Sequence, residues 1–552
     1  MLRRFLLHCF VGFVVIAVAG CERRGGCTGA WCGTLINAAV AEPGTLLPPS
    51  SEDIVANDID EQLFLKLADV GPSENTIGDE DFQPLLAQKW EWDGPLTLVF
   101  HIDPRARWQD GPRVTAADVE FTFNAYTDSA VGSPFRPKLL RIASVTQRDS
   151  LTTVFRFKER YPEMFYYAVY HMRILPAHLL RPVPRDQWRT APFGRQPVGS
   201  GPYRFVQWLP AQSIELVADS TFFLGRPGIR RLIWRFTPNL QVAVQQVIAD
   251  QADVREQLVT PDNVARARAA QQLAVYTYRG NTYTYLTFNQ RSPDDTTKPH
   301  PLFADRDLRR ALSMAVDRAT LLKSELGDLA KVPPGPMSEL LWIWDPDIRQ
   351  LPYDSAQAGR RLNALGWRDH DGDGIRDKDG QPLAFHILVP TSSVLRRQYA
   401  RLLQAQFSAV GVRVEIDELE PAVVGQRVST GKYDTAILSR SNDPSPSSGI
   451  AQNWTRAAGA SNFGRYYSPE FERIVDLAVT ATSRDRARSL WRSAIETLNA
   501  DAPAIFLYAI DNVAAVHKRV ENVQLRPDSW ATLLRTWRIP PDRLIDRDRV
   551  ER

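Results

Sequence analysis

The chain has 552 residues, 44% hydrophobic, 24% charged and 10% aromatic, with 67 basic against 64 acidic side chains and a formal net charge of +3. Chains of this size and balance fold as two or three globular domains, which excludes the disordered, collagenous and coiled-coil classes. The charge is scattered, with no concentrated basic block, so a dedicated nucleic-acid partner is excluded too.

The four cysteines, Cys9, Cys21, Cys27 and Cys32, lie at the N-terminal end, and none follows Cys32. Arg3 and Arg4 precede an apolar run over residues 5–19. That run has the charged and apolar regions of a secretory signal and is shorter than the roughly 20 residues a membrane span needs. It ends in Val18-Ala19-Gly20-Cys21, which resembles the lipobox of bacterial lipoproteins, where small residues precede the cysteine that carries the lipid. Residues 1–20 are therefore expected to be a lipoprotein signal peptide, Cys21 the lipidated residue and 21–33 a Gly-rich tether. An ordinary signal peptide with an incidental cysteine is the alternative. Cys27 and Cys32 are near enough in sequence to form a small disulfide in an oxidising compartment, and the bridged and unbridged states both stand open. No second apolar run of about 18 residues follows, so one anchor and an extracytoplasmic body are expected.

Between about residues 84 and 207, short strand-like runs such as 96–102 and 152–157 are broken by Gly and Pro, and this part reads as sheet-rich. Asp305 is placed to cap a helix carrying Leu308, Ala311, Leu312, Ala315, Ala319 and Leu322. Ser355 is placed to cap another with Ala358, Leu362 and Leu365 before Gly366. Leu383, Phe385, Ile387 and Val389 then alternate as a half-buried strand requires. Leu395, Leu402, Leu403 and Phe407 recur at helical spacing, and Val412, Val414 and Ile416 alternate again, which makes a βαβ unit. No internal repeat occurs, which argues against solenoids and propellers.

Catalytic motifs are missing: there is no nucleophile elbow, zinc-protease pair, Walker loop or dinucleotide fingerprint, so an enzyme is not expected. With no cysteine in the body, a tight transition-metal cluster is not expected either. Of the eight histidines, only His171, beside Met172 and near His178, forms a local group, and packing is the simpler reading there. The stretch Asp369-His370-Asp371-Gly372-Asp373-Gly374-Ile375-Arg376-Asp377 resembles the start of a calcium loop. Asp369, Asp371, Asp373 and Asp377 offer carboxylates there and Ile375 a backbone carbonyl, but Gly380 stands where the closing bidentate Glu belongs. A solvated Asp/Gly turn competes with this reading, and structural Ca²⁺ is the sole cofactor the sequence suggests.

Several segments, in order, resemble the solute-binding family 5 proteins, the extracytoplasmic dipeptide, oligopeptide and nickel receptors of ABC importers. Glu42-Pro43-Gly44-Thr45-Leu46-Leu47-Pro48 is similar to the family's opening strand. Arg107-Trp108-Gln109-Asp110-Gly111 with Thr115-Ala116-Ala117-Asp118-Val119 is similar to its most recognisable motif. Pro197-Val198-Gly199-Ser200-Gly201-Pro202-Tyr203 looks like the re-entry into the first lobe. Phe288-Asn289, Asp307-Leu308-Arg309-Arg310-Ala311-Leu312, Gly366-Trp367, and Ser461-Asn462-Phe463-Gly464 with Ser468-Pro469-Glu470-Phe471 complete the series.

The resemblance implies an α/β, two-lobed periplasmic-binding-protein fold with a hinge and an extra inserted sheet-rich domain. Lobe I is expected over 34–82, 197–282 and 505–552, the inserted domain over 83–196 and lobe II over 283–504. It also implies a monomeric receptor, periplasmic or at the cell surface, that closes on a peptide or small-molecule ligand and docks on ABC-importer permease subunits. A receptor for a metal chelate or haem, a signalling receptor that feeds no transport and a cell-envelope hydrolase are the alternatives.

In the family's peptide receptors, an Asp three residues before a D-P or E-P dipeptide takes the ligand's ammonium. Here the dipeptide is Asp443-Pro444, and Arg440 stands at that position. A guanidinium repels an ammonium and forks onto a carboxylate or phosphate, which gives weight to an anionic or blocked ligand. In the other reading Arg440 points to solvent and Asp443 takes the ammonium. Ser441, Trp454, Tyr283, Tyr285, Asn289 and Glu42 complete the candidate ligand-binding set, since aromatic walls and a few aimed polar groups make most pockets. For the two tyrosines, core packing is an equal expectation.

Overall fold

The computed structural model describes residues 32–51 and 53–549. The βαβ unit forms where alternation predicts it: strands Ala384–Pro390 and Arg413–Leu419 pair in parallel, with Phe385 opposite Val414 and Ile387 opposite Ile416. The helix between them, Val394–Ser408, is capped by Ser393, whose side chain accepts the Arg396 N–H and so satisfies a donor that a helix start leaves unpaired. Tyr399, Ala400, Leu403 and Phe407 bury one face of it against the strands. Asp305 caps its helix as expected, and two other details differ from the expectation. Asp354, not Ser355, caps the helix Ser355–Ala364, because its carboxylate accepts the Gln357 N–H. The run after Asp305 makes two helices, Arg306–Met314 and Arg318–Glu325. Asp317 caps the second by accepting from Thr320 N, and the buried Arg318 guanidinium donates to Ser313 across the break.

The strand-like runs near 96–102 and 152–157 are Thr97–Ile102 and Thr152–Phe157, the middle pair of an antiparallel four-stranded sheet edged by Ala87–Trp92 and Ile142–Gln147. Thr115 and Asp118 form a reciprocal cap on the helix Ala116–Thr127, which packs on this sheet. Leu98, Phe100, Phe155 and Phe165 from this region share one hydrophobic core with Leu35, Ile59 and Trp234. The small sheet is therefore fastened to the first part of the chain by apolar burial.

A larger sheet, eleven strands among the described residues, runs in the order Arg413–Leu419, Ala384–Pro390, Thr435–Ser441, Leu273–Phe288, Ala504–His517, Val254–Arg255, Cys32–Ala39, Ile229–Phe236, Ser213–Ala218, Tyr203–Leu209, with Ala330–Lys331 beside Ala504–His517. The ladder between the two longest strands, Leu273–Phe288 and Ala504–His517, slips between Tyr278 and Thr282. On one side of the slip, Tyr283, Tyr285 and Phe506 enter one core and Leu286, Phe288, Ile505 and Leu507 another, so both faces of these strands are covered. On the other side, Leu273, Val513 and Ala515 join Ile36, Ala38 and Val244. The sheet thus consists of two lobes that share two crossing strands. Gly280 sits at the slip: a Cβ there would lie 1.8 Å from the Ile510 carbonyl oxygen, so glycine is what lets the crossing backbones approach. No helix of the described residues is long and apolar enough to cross a membrane.

Candidate ligand site between the lobes

Beyond the strand Thr435–Ser441, the prolines at 444 and 446 have no N–H to extend the ladder, and the chain turns through Asp443 and Ser445 into the short helical stretch Ser447–Ala451. This turn meets the small-sheet region. Asp443 Oδ1 accepts the Ser445 N–H at 3.1 Å, and Oδ2 accepts the Ser448 hydroxyl at 2.6 Å and the Lys138 ammonium at 2.5 Å. Lys138, on the short helix Arg136–Leu139, also donates to Ser448 Oγ at 2.6 Å. His171 Nε2 lies 4.0 Å from Asp443 Oδ2 and has no hydrogen-bond partner. The rings of Phe135, Tyr166, Tyr167 and Tyr170 surround the His171 ring, with centroids 6.2, 5.4, 5.5 and 5.3 Å away.

A second bridge runs through Glu163 at the start of the helix Met164–Val169. Its Oε2 accepts the Ser445 hydroxyl at 2.9 Å and its Oε1 the Thr76 hydroxyl at 2.5 Å, while Thr76 Oγ1 accepts the Trp342 indole N–H at 3.1 Å. Nearer the crossing strands, Arg279 donates to Glu74 Oε2 at 3.1 Å and to the Glu339 carbonyl at 3.2 Å.

Burial shapes the ionisation of these groups. Burial alone would raise the Asp443 carboxyl, but the Lys138 charge and the hydrogen bonds from Lys138 and Ser448 hold it below the usual carboxylate range. Burial, and then the Lys138 charge, push His171 down to about 3, so its ring is neutral at pH 7. Glu163 is raised by burial against the hydrogen bonds from Ser447, Thr76 and Ser445. Glu74 is pushed up to about 8 by burial and Asp528, with Arg279 opposing. Asp58, whose Oδ2 accepts the Trp530 indole N–H at 2.8 Å, is raised well above its usual value by burial and Glu256. The junction is a largely buried, acid-rich seam crossed by the Lys138–Asp443 ion pair. Such a seam can hold donors and acceptors of a small solute.

Among the residues singled out from the sequence, Asp443 brings its carboxylate to this seam. Ser441 is exposed next to the crossing, its hydroxyl 2.9 Å from Thr282 Oγ1. Arg440 turns back into the second lobe: Nε donates to Tyr285 OH at 3.1 Å, the Nη groups donate to Asn453 Oδ1 at 2.6 Å and to the Ser461 carbonyl, and the guanidinium lies 4.2 Å over the Phe463 ring. Tyr283, Tyr285 and Trp454 pack together with Phe506, and Trp454 Nε1 donates to Tyr283 OH at 3.2 Å. Asn289 is buried in a turn, its amide donating to the Gly431 and Tyr433 carbonyls and accepting Arg291 N–H. Glu42 lies at the outermost strand of the first lobe, accepting from Trp208 Nε1 at 2.7 Å and Ala211 N at 2.9 Å.

Asp369, Asp371 and Asp373 bring carboxylate oxygens within 4.8 Å of one another on the surface. Each accepts a backbone N–H of its own loop, that of Ile375 included, and Asp377 turns to His370 Nδ1 at 2.9 Å. Cys32 is disulfide-bonded. Cys9, Cys21 and Cys27, with the expected signal peptide and lipid site, lie outside the described residues. Sequence reasoning misses Lys138, Glu163 and Thr76, because nothing local marks a surface-type residue that is buried by a segment hundreds of residues away. The His171 grouping is the one trace of this wall, and it reads as packing.

The family model described as "Bacterial extracellular solute-binding proteins, family 5 Middle" matches residues 81–462. The oligopeptide-binding protein AppA of Bacillus subtilis is 25% identical over 503 residues, which is 90% of this chain and 89% of that protein. The structure of B. subtilis AppA in complex with a nonapeptide superposes with a TM-score of 0.78 at 24% identity, covering 92% of this chain and 99% of that one. Campylobacter jejuni NikZ in complex with Ni(L-His) superposes with a TM-score of 0.76 at 23% identity, covering 92% and 99% of the two chains. These are likenesses of fold, the two-lobed periplasmic-binding-protein architecture with its inserted sheet. With the family model spanning most of its length, the chain belongs to the bacterial extracellular solute-binding proteins of family 5, which are receptors and not enzymes.

Proposed function

We propose that the chain is a lipid-anchored, extracytoplasmic substrate-binding protein of an ABC importer, closing two lobes on a peptide or peptide-like solute and presenting the closed form to the permease. One observation carries the reading: Asp443, Ser445 and Trp342 on one side and Lys138, Glu163 and Thr76 on the other are hydrogen-bonded to each other across a buried junction. A solute that contacts both sides therefore shifts the population toward closure. In this reading lobe I comprises 34–82, 197–282 and the C-terminal stretch, the inserted domain 83–196, and lobe II the rest from 283. We draw the second crossing at Ile510, not at 505, because Ile505, Phe506 and Leu507 pack in lobe II cores.

The anionic alternative rests on Arg440. With its guanidinium engaged by Tyr285, Asn453 and Ser461, a peptide is the better fit. Asp443 and Ser441 stay as ligand-contacting candidates, backed by the packed Tyr283, Tyr285 and Trp454. Cys21 carries the lipid, and the receptor acts as a monomer. A metal-chelate receptor is the second reading, favoured by the neutral, unpartnered His171 Nε2 at the seam, since imidazole in that state ligates metals.

Native mass spectrometry with elemental analysis, on protein purified without denaturation, tests both. A peptide adduct supports the first reading, and stoichiometric metal without peptide overturns it in favour of the second. Undiminished peptide uptake by a deletion strain removes the transport role, and a Cys21→Ser variant is expected to lose the acyl mass and leave the membrane fraction.

A further inference from the structure

A cavity of about 340 Å³ lies where the small sheet, the loop 77–78 and the second lobe meet. The small sheet gives it Trp92, at the end of the strand Ala87–Trp92, and the segment 160–164 gives it Arg160, Tyr161 and Met164. Thr482, between the helices Pro469–Thr480 and Arg484–Asp501, comes from the second lobe. Asp443, Lys138, His171 and Ser448 do not line it, so it is not the seam described above.

The Trp92 ring is 38% exposed yet held in place. Its Nε1 donates to Asp79 Oδ2 at 3.2 Å, the oxygen that also accepts from Trp90 Nε1 at 2.9 Å, and its ring centroid lies 6.2 Å from that of Phe157. An apolar wall is therefore positioned before any solute arrives. The charged and phenolic groups of the cavity are donors. Arg160 is exposed and has no ion-pair or hydrogen-bond partner among the described residues. Tyr161 is 3% exposed, and its buried hydroxyl has no partner. Burial raises that phenol against the Arg141 charge, so it keeps its proton. No carboxylate among the described residues lines the cavity. An apolar wall with a few aimed polar groups, at this volume, is the make-up of a small-molecule site.

Two wall segments continue into the bridge between the lobes. Ile77 follows Thr76 and Met164 follows Glu163, and Thr76 and Glu163 are bonded to each other, to Trp342 and to Ser445. We propose that this cavity is an accessory binding site for a small solute with an apolar ring and a carboxylate, the ring against Trp92 and the carboxylate at Arg160, and that its occupant favours the closed receptor. Closure follows because the walls come from both sides of the junction and are complete only when the lobes meet. The site is additional to the transported solute's, and its effect rests on the two-lobe reading.

The test titrates 3-phenylpropionate and the uncharged 3-phenylpropan-1-ol into the purified receptor by calorimetry. The acid should bind saturably, and the alcohol roughly three- to fivefold more weakly, the size of an exposed ion pair. Arg160→Gln should erase that difference, and Trp92→Ala should weaken both by about tenfold through loss of the aromatic wall. Should Trp92→Ala fail to fold, Thr482→Trp fills the cavity from the second lobe and should abolish binding of both. In Glu163→Ala, which lacks the Ser445 and Thr76 bonds, saturating acid should move spin-label distances between the lobes back toward wild type. No saturable binding, equal affinity for the alcohol, affinity unchanged in Thr482→Trp, or an unmoved distance in Glu163→Ala overturns the proposal. A receptor that binds the acid here but never carries a peptide keeps this site and loses the peptide reading instead.

Discussion

Glu163→Ala removes a side chain that ties three parts of the molecule together. The Ser445 hydroxyl loses its acceptor at 2.9 Å and the Thr76 hydroxyl its acceptor at 2.5 Å, and the Trp342 indole is left donating to a Thr76 hydroxyl that is no longer oriented. A hydrogen bond contributes about 1 kcal/mol net, and a buried polar group left without a partner costs about 1–3 kcal/mol. The Ser445 and Trp342 bonds cross between the lobes, so the loss, about 2–4 kcal/mol, falls on the closed state more than on the fold of either lobe. At about 1.4 kcal/mol per factor of ten, the closed-to-open ratio drops roughly 30- to 1000-fold. The assay is an inter-lobe distance distribution from spin labels at the exposed Val206 and Leu477, read beside solute affinity. Glu163→Gln should lose less, because burial already disfavours the charge that this variant deletes. A Glu163→Ala protein that keeps its thermal midpoint, its inter-lobe distance and its affinity refutes the reasoning.

His171 makes stability depend on pH. Its native pKa of about 3 lies below the ordinary 6.5, so the unfolded chain takes up the proton first and stability falls as pH drops from about 6.5 toward 3. At about 1.4 kcal/mol per unit, the loss approaches about 5 kcal/mol at the bottom of that window. Lys138, Lys66 and Asp443 face this ring, and the lowered Asp443 adds its own loss only at the acid end. Urea melts of His171→Gln should show a flatter profile between pH 6.5 and 4, and a profile parallel to wild type would count against a buried neutral imidazole. Gly280→Ala drives a Cβ to 1.8 Å from the Ile510 oxygen and, at roughly 1–3 kcal/mol or more for an unrelieved overlap, should lower the thermal midpoint and change the inter-lobe distance. Arg440→Ala should destabilise the second lobe by stranding Tyr285, Asn453 and Ser461 while leaving solute affinity nearly unchanged; the opposite pattern would put the guanidinium in the site. Adding Ca²⁺ should leave the melting curve unmoved, since Asp377 is turned to His370, and a saturable upward shift would restore the calcium reading.

Elements written in local periodicity were legible. The alternation of Phe385, Ile387 and Val389, the helical spacing through Leu403 and Phe407, and the turn chemistry around Asp305 depend on contacts within a few residues, so the sequence carries them. The errors were local competitions of the same kind: Asp354 outbids Ser355 for one cap, and Asp317 stops a helix that apolar spacing would continue. The direction of Arg440 was half legible, because a strand alternates and Leu438, two residues before it, lies in the core with Tyr283 and Tyr285.

By itself, the sequence determined the α/β texture, the sheet-rich segment, the absence of catalytic motifs and, through motifs in order, the family. Only the tertiary structure decided which side chains meet at the junction. Lys138 and Asp443 lie 305 residues apart, and Trp342 and Thr76 lie 266 apart. No propensity or spacing encodes such a pairing. Whether a lysine is a solvated surface charge or an ammonium held between two lobes depends on what the rest of the chain buries around it.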